Sequence, residues 1–165
     1  MTASSARGSG RVLLSCGLGC LVLVGLAGLG AWATYRWFVS EPEHVTVSVA
    51  APVEVTQGDR FTFVARIRNT AARRQRLVSL DLADGYLEGI AVESTTPPFS
   101  EAMHVPIDDT VSYTYELPIP PGGEVAVVFN AYAAHAGDWA GDVDFCVNSA
   151  TDFVSYPVRT IVKPR

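Results

Sequence analysis

Cysteine is scarce in this sequence, with three residues in 165. Cys16 and Cys20 lie inside an apolar run near the amino terminus, so Cys146 is the one cysteine beyond that run. No disulfide can therefore form within the remainder of the chain. Its stability must come from a hydrophobic core, which a segment of this length can build.

Charge is absent from one long stretch, because no Asp, Glu, Lys or Arg occurs between Arg11 and Arg36. Residues 12–33 are almost wholly Leu, Val, Gly and Ala, and as a helix they would be about 33 Å long, the thickness of a bilayer's hydrocarbon core. Aromatic side chains follow at the far end, where they settle at the headgroup level: Trp32, Tyr35, Trp37 and Phe38. The pattern predicts one transmembrane helix over residues 12–34, with the bilayer as a partner.

The cations flanking this helix predict its orientation. Arg7 and Arg11 precede it, whereas Arg36 alone follows closely, so we expect residues 1–11 to be a cytoplasmic tail of a single-pass membrane protein. A cleaved signal peptide is an alternative, since residues 31–33 form an A-x-A site, although the apolar run exceeds the usual length of about 7 to 15 residues. A lipoprotein anchor at Cys16 is a third option, but the apolar run continues past that residue. Under each alternative the remainder is extracytoplasmic.

Positive charge is also in short supply after the helix. From Ser40 onward, 9 Lys or Arg face 17 Asp or Glu, a formal charge of −8. A surface of that sign argues against nucleic acid and anionic lipid as partners.

Hydrophobic side chains recur with a period of two from Val45 onward, which is typical of half-buried strands. Pro52 interrupts the first strand, and Gln57, Gly58 and Asp59 predict a turn. We expect a linker over residues 35–43 and, over residues 44–165, an immunoglobulin-like antiparallel β-sandwich of seven or eight strands. Residues 93–109 contain three prolines and are predicted to be mostly loop, the first place to look for a partner surface.

Two stretches resemble a known family. One runs from Val55 through the turn at Gly58 and Asp59 to Asn69 and Thr70; the other, residues 117–129, contains Pro-Pro-Gly-Gly-Glu. Together they resemble bacterial immunoglobulin-like domains of the CARDB and related surface-repeat type, in which a V-x-x-G-D turn opens a strand ending in N-T and a P-x-G-E turn opens another. The resemblance covers about residues 45–162. It implies an adhesion, scaffold or interaction module and offers no catalytic residues.

Signatures of catalysis are missing, since neither G-x-S-x-G nor H-E-x-x-H occurs. We therefore predict no enzymatic activity and no cofactor. Metal binding remains an alternative function, in a metal-handling or chaperone domain for a membrane complex. The copper candidates are Met103, His104, His135 and Cys146, and the calcium candidates are Asp108, Asp109, Asp138, Asp142 and Asp144.

The leading hypothesis is a non-enzymatic, anchored module that binds another envelope protein, as an accessory subunit. Candidate partner-binding residues are five arginines, Arg66, Arg68, Arg73, Arg74 and Arg76, together with Met103, His104 and Cys146. The arginines would suit an acidic partner, lipid headgroups or a solvated edge that discourages aggregation.

Alternation places Cys146 opposite the core-facing side chains of its strand. Either a loop or the linker next to the helix covers it, or it serves an intermolecular disulfide or contact surface. A carbohydrate-binding sandwich is a third function, with Trp139 and Tyr132 as its aromatic candidates.

Overall fold

The computed structural model describes residues 28–30, 32 and 44–165. The chain divides into two compact units, Met1–Val39 and Ser40–Arg165. In the first unit residues 28–30 and 32 are helical, and the rest of the predicted span over residues 12–34 lies outside the described residues, as do the tail and the linker. Among the residues that are described, no helix has the length and apolar character needed to cross a membrane.

The second unit is built almost entirely of strands. Its elements, in chain order, are β1 (Val45–Ala50), β2 (Glu54–Thr56), β3 (Arg60–Asn69), β4 (Gln75–Ala83), α1 (Asp84–Leu87), β5 (Ile90–Thr96), β6 (Glu101–Val105), β7 (Thr110–Ile119), β8 (Glu124–Ala133), β9 (Gly137–Val147) and β10 (Phe153–Lys163).

The strands form two sheets that enclose one core. The four-stranded sheet has the order β1-β3-β8-β5 and the six-stranded sheet the order β2-β10-β9-β4-β7-β6; neighbours are antiparallel except β2 and β10. This confirms the predicted β-sandwich, with ten strands in residues 44–165 where seven or eight were expected. The arrangement of β1-β3-β8-β5 against β10-β9-β4 is that of an immunoglobulin-like domain, and the β6–β7 hairpin extends the second sheet beside β4.

Alternating side chains of both sheets fill the core, as the period of two predicts. Phe63 and Phe129, paired across β3 and β8, stack with ring centroids 4.6 Å apart, and Tyr113 of the opposite sheet meets Phe129 edge-on at 5.7 Å. Tyr86 and Thr160 are fully buried polar side chains, and their hydroxyls are hydrogen-bonded at 3.1 Å. Such pairing offsets the desolvation of both groups.

Pro52 interrupts the first strand, as predicted, and the strands before and after it belong to different sheets. β1 belongs to the four-stranded sheet, whereas β2 pairs with β10 in the six-stranded sheet. The chain crosses between the two sheets at this proline, whose carbonyl accepts a hydrogen bond from the Thr160 hydroxyl at 3.0 Å.

Three local features differ from the sequence expectation. A register shift between Leu77 and Ser79 turns both Leu77 and Leu80 towards the core, so strict alternation fails in β4. The short helix α1 interrupts the series of strands that the period of two predicts. Residues 93–109, predicted to be mostly loop, contain the end of β5 and the whole of β6.

Candidate functional site

Five arginines collect around one end of the sandwich, where β3 ends and β4 begins. They lie on β3, in the loop of residues 70–74 and on β4, and all five are exposed: Arg66, Arg68, Arg73, Arg74 and Arg76. We call this group the arginine end. Residues 66–76 contain no acidic residue, so the positive charge is not neutralised within the segment itself.

Two of these arginines are paired with carboxylates of neighbouring strands. Arg76 Nη1 lies 2.7 Å from Glu116 Oε2, and Arg66 Nε lies 3.8 Å from Glu124 Oε1. The other three, Arg68, Arg73 and Arg74, form no salt bridge to any carboxylate within residues 44–165. Within residues 44–165, no carboxylate is paired with these three exposed cations.

Asn69 holds the arginine-bearing loop in place from below. Its side chain is fully buried, and Nδ2 donates to the backbone carbonyls of Arg73 at 2.8 Å, Ile119 at 3.0 Å and Pro120 at 3.2 Å. Oδ1 accepts from the Ala71 N–H at 2.9 Å, closing a turn around its own backbone. One neutral amide thus fixes the path of residues 70–74 without adding charge.

The two stretches that carry the family resemblance meet at this same residue. The Asn69 N–H donates to the Gly123 carbonyl at 2.9 Å, and the Gly122 N–H donates to the Asn69 carbonyl at 3.0 Å. Gly122 has a φ of +70°, a conformation that glycine adopts without strain. The strand-ending Asn and the Pro-Pro-Gly-Gly turn are therefore one hydrogen-bonded unit, a contact that separate motifs in the sequence do not reveal.

An open pocket of about 560 Å³ lies beside the loop. It is lined by His44, Thr70, Ala71, Ala72 and Arg73. The Thr70 N–H donates to the His44 carbonyl at 2.8 Å, which ties the loop to the residue where the described domain begins. Two of the lining residues, Arg73 and Thr70, carry a guanidinium and a hydroxyl, which are donors suited to an anionic group.

Met103 and His104 lie elsewhere, on the edge strand β6. β6 pairs with β7 alone, and four of its five residues are exposed. Met103 is 58% exposed, whereas His104 Nε2 is bound to Asp84 Oδ2 at 2.7 Å, which links the edge strand to α1.

Ile107 is a surface residue that the sequence analysis missed. It lies in the turn between β6 and β7 and is 88% exposed, and Met103 is on the adjoining strand. A hydrophobic residue beside a proline in a predicted loop gave no signal of its own, because a lone apolar side chain is equally common in a core.

Cys146 is on the predicted outer face of β9 but is buried, with 1% of its surface exposed. The turn after β9 covers it: its thiol lies 3.7 Å from the Ala150 carbonyl and donates to Asp81 Oδ2 at 3.3 Å. Burial, reinforced by the nearby Asp81 carboxylate, raises the thiol pKa to about 12. Cys146 is therefore covered by a loop, the first of the two alternatives, and its thiol is not part of an exposed surface.

A row of hydroxyls and carboxylates crosses the outer face of the six-stranded sheet next to this thiol. Asp81 and Asp144 are directly opposite each other on β4 and β9; Ser112 donates to Asp81 at 2.6 Å and Ser155 to Asp144 at 2.5 Å. We call these four residues the carboxylate row. Partial burial raises the pKa of Asp144 above its ordinary value, and neighbouring carboxylates, Asp81 first, add to the effect.

The metal candidates are not assembled into a site. His135 Nδ1 is 2.8 Å from the Glu88 carbonyl and His104 is bound to Asp84, while Asp138 is paired with Arg159. Among the described residues, no group of three or more His, Cys, Asp or Glu side chains is arranged to hold a metal ion.

The two aromatic candidates are each occupied by contacts within the domain. Trp139 packs closely over Gly89 and Gly137, and its indole N–H donates to the His135 carbonyl at 2.8 Å. The Tyr132 ring lies under the Arg60 guanidinium at 5.9 Å. Both side chains are partly buried.

Comparison with known proteins assigns no family. No family model and no curated protein matches the chain. A solved structure of a Salmonella alpha-2-macroglobulin mutant is similar at 13% identity and a TM-score of 0.48 over 73% of this chain, which spans 7% of that one. E. coli alpha-2-macroglobulin is similar at 14% identity and a TM-score of 0.47, over 74% of this chain and 7% of the macroglobulin chain. The cupredoxin domain of amoB from Nitrosocaldus yellowstonii is similar at 13% identity and a TM-score of 0.46, over 74% of this chain and 89% of that domain.

Proposed function

We propose that this chain is a non-enzymatic, membrane-anchored interaction module that binds another protein of the cell envelope as an accessory subunit. The anchor is the apolar run of residues 12–34, which is long enough to span a bilayer and carries no charge. The partner-binding element is the β6–β7 hairpin. The observation that carries this proposal is the exposure of two large apolar side chains, Met103 and Ile107, on that hairpin.

The edge position of β6 favours protein binding. An edge strand presents backbone donors and acceptors along its free side, and extended segments of other proteins recognise such edges by adding a strand. β6 is five residues long and pairs on one side only. A partner strand would gain main-chain hydrogen bonds, with Met103 as an adaptable apolar contact.

The hairpin is also held firmly enough to present these side chains. Phe99 packs edge-on against Tyr113 with ring centroids 5.3 Å apart, and the His104–Asp84 contact fixes the middle of β6 to α1. Rigid presentation lowers the entropy lost when a partner binds.

The family resemblance supports the same class of function. Domains of the CARDB and related type serve as surface modules, and the stretches that carry the resemblance form the Asn69 unit, which is structural. Membership of that family is part of this proposal.

Isolation of the full-length chain in mild detergent tests the proposal. We expect a protein partner to copurify with the wild type and to be lost from the double variant Met103→Lys, Ile107→Lys, because both changes put charge into an apolar contact. Val53→Lys is the matched control, since Val53 is an apolar residue 75% exposed and outside the hairpin. A wild-type chain that is reproducibly isolated alone, or equal loss of the partner from the control, would refute the proposal.

A further inference from the structure

We propose that the arginine end docks the sandwich onto a membrane surface of anionic phospholipid headgroups, with Arg68, Arg73 and Arg74 as the contacting cations. The inference rests on the membrane anchor of the proposed function and is independent of the β6–β7 hairpin. It concerns a surface of the domain that the protein partner does not use.

The charge distribution favours one orientation of the domain. Five of the nine Lys and Arg residues after Ser40 are at the arginine end, and the acidic residues lie outside residues 66–76. An anionic surface repels the acidic remainder and attracts this end. The total formal charge of −8 argues against binding of anionic lipid. The charge is unevenly distributed, however, and the arginine end is the face that an anionic surface attracts.

The cations at this end are available and already positioned. Arg68, Arg73 and Arg74 are exposed and form no salt bridge within residues 44–165, so no ion pair among those residues has to break on docking. The loop that carries Arg73 is fixed by the Asn69 amide at 2.8 Å. A preorganised loop loses little conformational entropy when it binds.

The open pocket beside the loop matches the chemistry of a headgroup. Arg73 and Thr70, whose side chains end in a guanidinium and a hydroxyl, are among the residues that line it. A phosphate oxygen accepts hydrogen bonds from both types of group.

The length of the tether sets an upper limit on the distance between this end and the bilayer. Between the predicted span, which ends at residue 34, and His44 lie the nine residues 35–43, which fully extended reach about 30 Å. His44 is bonded through its carbonyl to Thr70 of the arginine-bearing loop. The attraction of a membrane surface acts within roughly 10 Å, so a short tether beside the cations is what docking requires.

An acidic protein is the other occupant that these arginines could take. The tether favours the lipid surface, because it limits the distance of the arginine end from the headgroups and so raises their effective concentration. Three cations near an anionic surface shift the equilibrium towards docking by roughly a hundredfold at low salt.

The test uses the full-length chain in phosphatidylcholine vesicles with and without phosphatidylglycerol. A fluorophore on Ala72→Cys, in a background where Cys16 and Cys20 are serine, reports energy transfer to a headgroup acceptor. We expect transfer to rise with phosphatidylglycerol, to fall again in high salt, and to lose its dependence on phosphatidylglycerol in the triple variant Arg68→Gln, Arg73→Gln, Arg74→Gln. Thermal unfolding of the triple variant should match the wild type.

The matched control removes the same charge elsewhere: Arg60→Gln, Arg159→Gln, Lys163→Gln, which should keep the lipid response. Energy transfer that does not depend on phosphatidylglycerol, the result expected for an acidic protein partner, overturns the proposal. An equal loss of the lipid response in both triple variants also overturns it. Alkaline extraction from neutral vesicles tests the anchor separately. If the chain is extracted, vesicle flotation tests the docking surface without the anchor. Binding to phosphatidylglycerol vesicles that requires Arg68, Arg73 and Arg74 supports the docking surface. Absence of such binding overturns it.

Discussion

The arginine end and the carboxylate row both concentrate charge of one sign, but the arginines are exposed and spread over two strands and a loop, whereas the carboxylates are half-covered and directly opposed. Asp81 and Asp144 are cross-strand neighbours, an arrangement in which like charges destabilise a sheet. At the arginine end the neutral Asn69 amide is buried, with hydrogen-bond partners for both its oxygen and its nitrogen.

The difference shows two ways in which a small domain accommodates charge. Exposed cations above a neutral, hydrogen-bonded scaffold leave folding almost unaffected and remain free to bind. The partly buried Asp144 carboxylate opposes folding, because burial disfavours its charged form. The following predictions test this contrast, starting with the largest effect.

The Cys146 thiol should be almost unreactive in the folded protein. Its side chain is buried and its pKa is raised to about 12, so at neutral pH the thiolate fraction is roughly a thousandfold lower than in the unfolded chain. Modification by a maleimide, followed by mass spectrometry with Cys16 and Cys20 replaced by serine, measures this. Rapid modification without denaturant would show that the turn after β9 does not cover the Cys146 thiol.

Asn69→Ala should be the most destabilising change at the arginine end. It leaves the buried Ile119 carbonyl without its side-chain donor and frees the loop of residues 70–74, for an expected loss of about 2–3 kcal/mol in the free energy of unfolding. Denaturant unfolding measures it. The matched control is Asn130→Ala, whose amide donates at 3.0 Å to exposed Ser94 and should cost less than about 0.5 kcal/mol. Equal losses would mean that Asn69 does not organise this end.

Asp144→Asn should stabilise the domain at neutral pH by less than about 1 kcal/mol. The folded-state pKa of Asp144 is raised, so as pH rises the unfolded chain ionises first and the folded state loses stability until pH exceeds the folded pKa. The amide removes that loss, and the Ser155 hydroxyl can still donate to its oxygen. Below the ordinary aspartate pKa of about 3.9, wild type and variant should converge.

Asp138→Asn should change the free energy of unfolding in the opposite direction when both variants are unfolded by denaturant at a series of pH values. The Arg159 hydrogen bonds lower the pKa of Asp138, so its stabilisation is present above the ordinary aspartate pKa and disappears as pH falls through the lowered one. We expect a small loss at neutral pH. A gain in both variants would point to net acidity, and not to the opposed pair, as the source of the Asp144 effect.

Local patterns in the sequence predicted most of the architecture. Alternation predicted which side chains of β3 face the core, and Phe63, Ala65 and Ile67 are each at most 1% exposed. The break at Pro52 and the turn at Gly58 follow from backbone chemistry that is readable in a short window.

What alternation could not predict depends on contacts between distant segments. The extra residue near Ser79 shifts the register of β4, and a bulge of that kind has no reliable signature in the sequence. Burial of Cys146 depends on the turn after β9, and the role of Asn69 depends on a turn 50 residues away. The five arginines were identified, but which of them lack carboxylate partners is set by strand pairing.

The passage of the chain from one sheet to the other at Pro52 has a mechanical consequence. A force applied at His44 along the strand axis loads the whole β1–β3 ladder in shear, because its hydrogen bonds run perpendicular to the pull and the six pairs from Val45 to Ala50 share the load. Beyond the ladder, the Thr160–Pro52 bond and the bond from the Ile161 N–H to the Val53 carbonyl clamp the same segment to the second sheet. A pull at His44 along this axis is thus resisted by hydrogen bonds to both sheets.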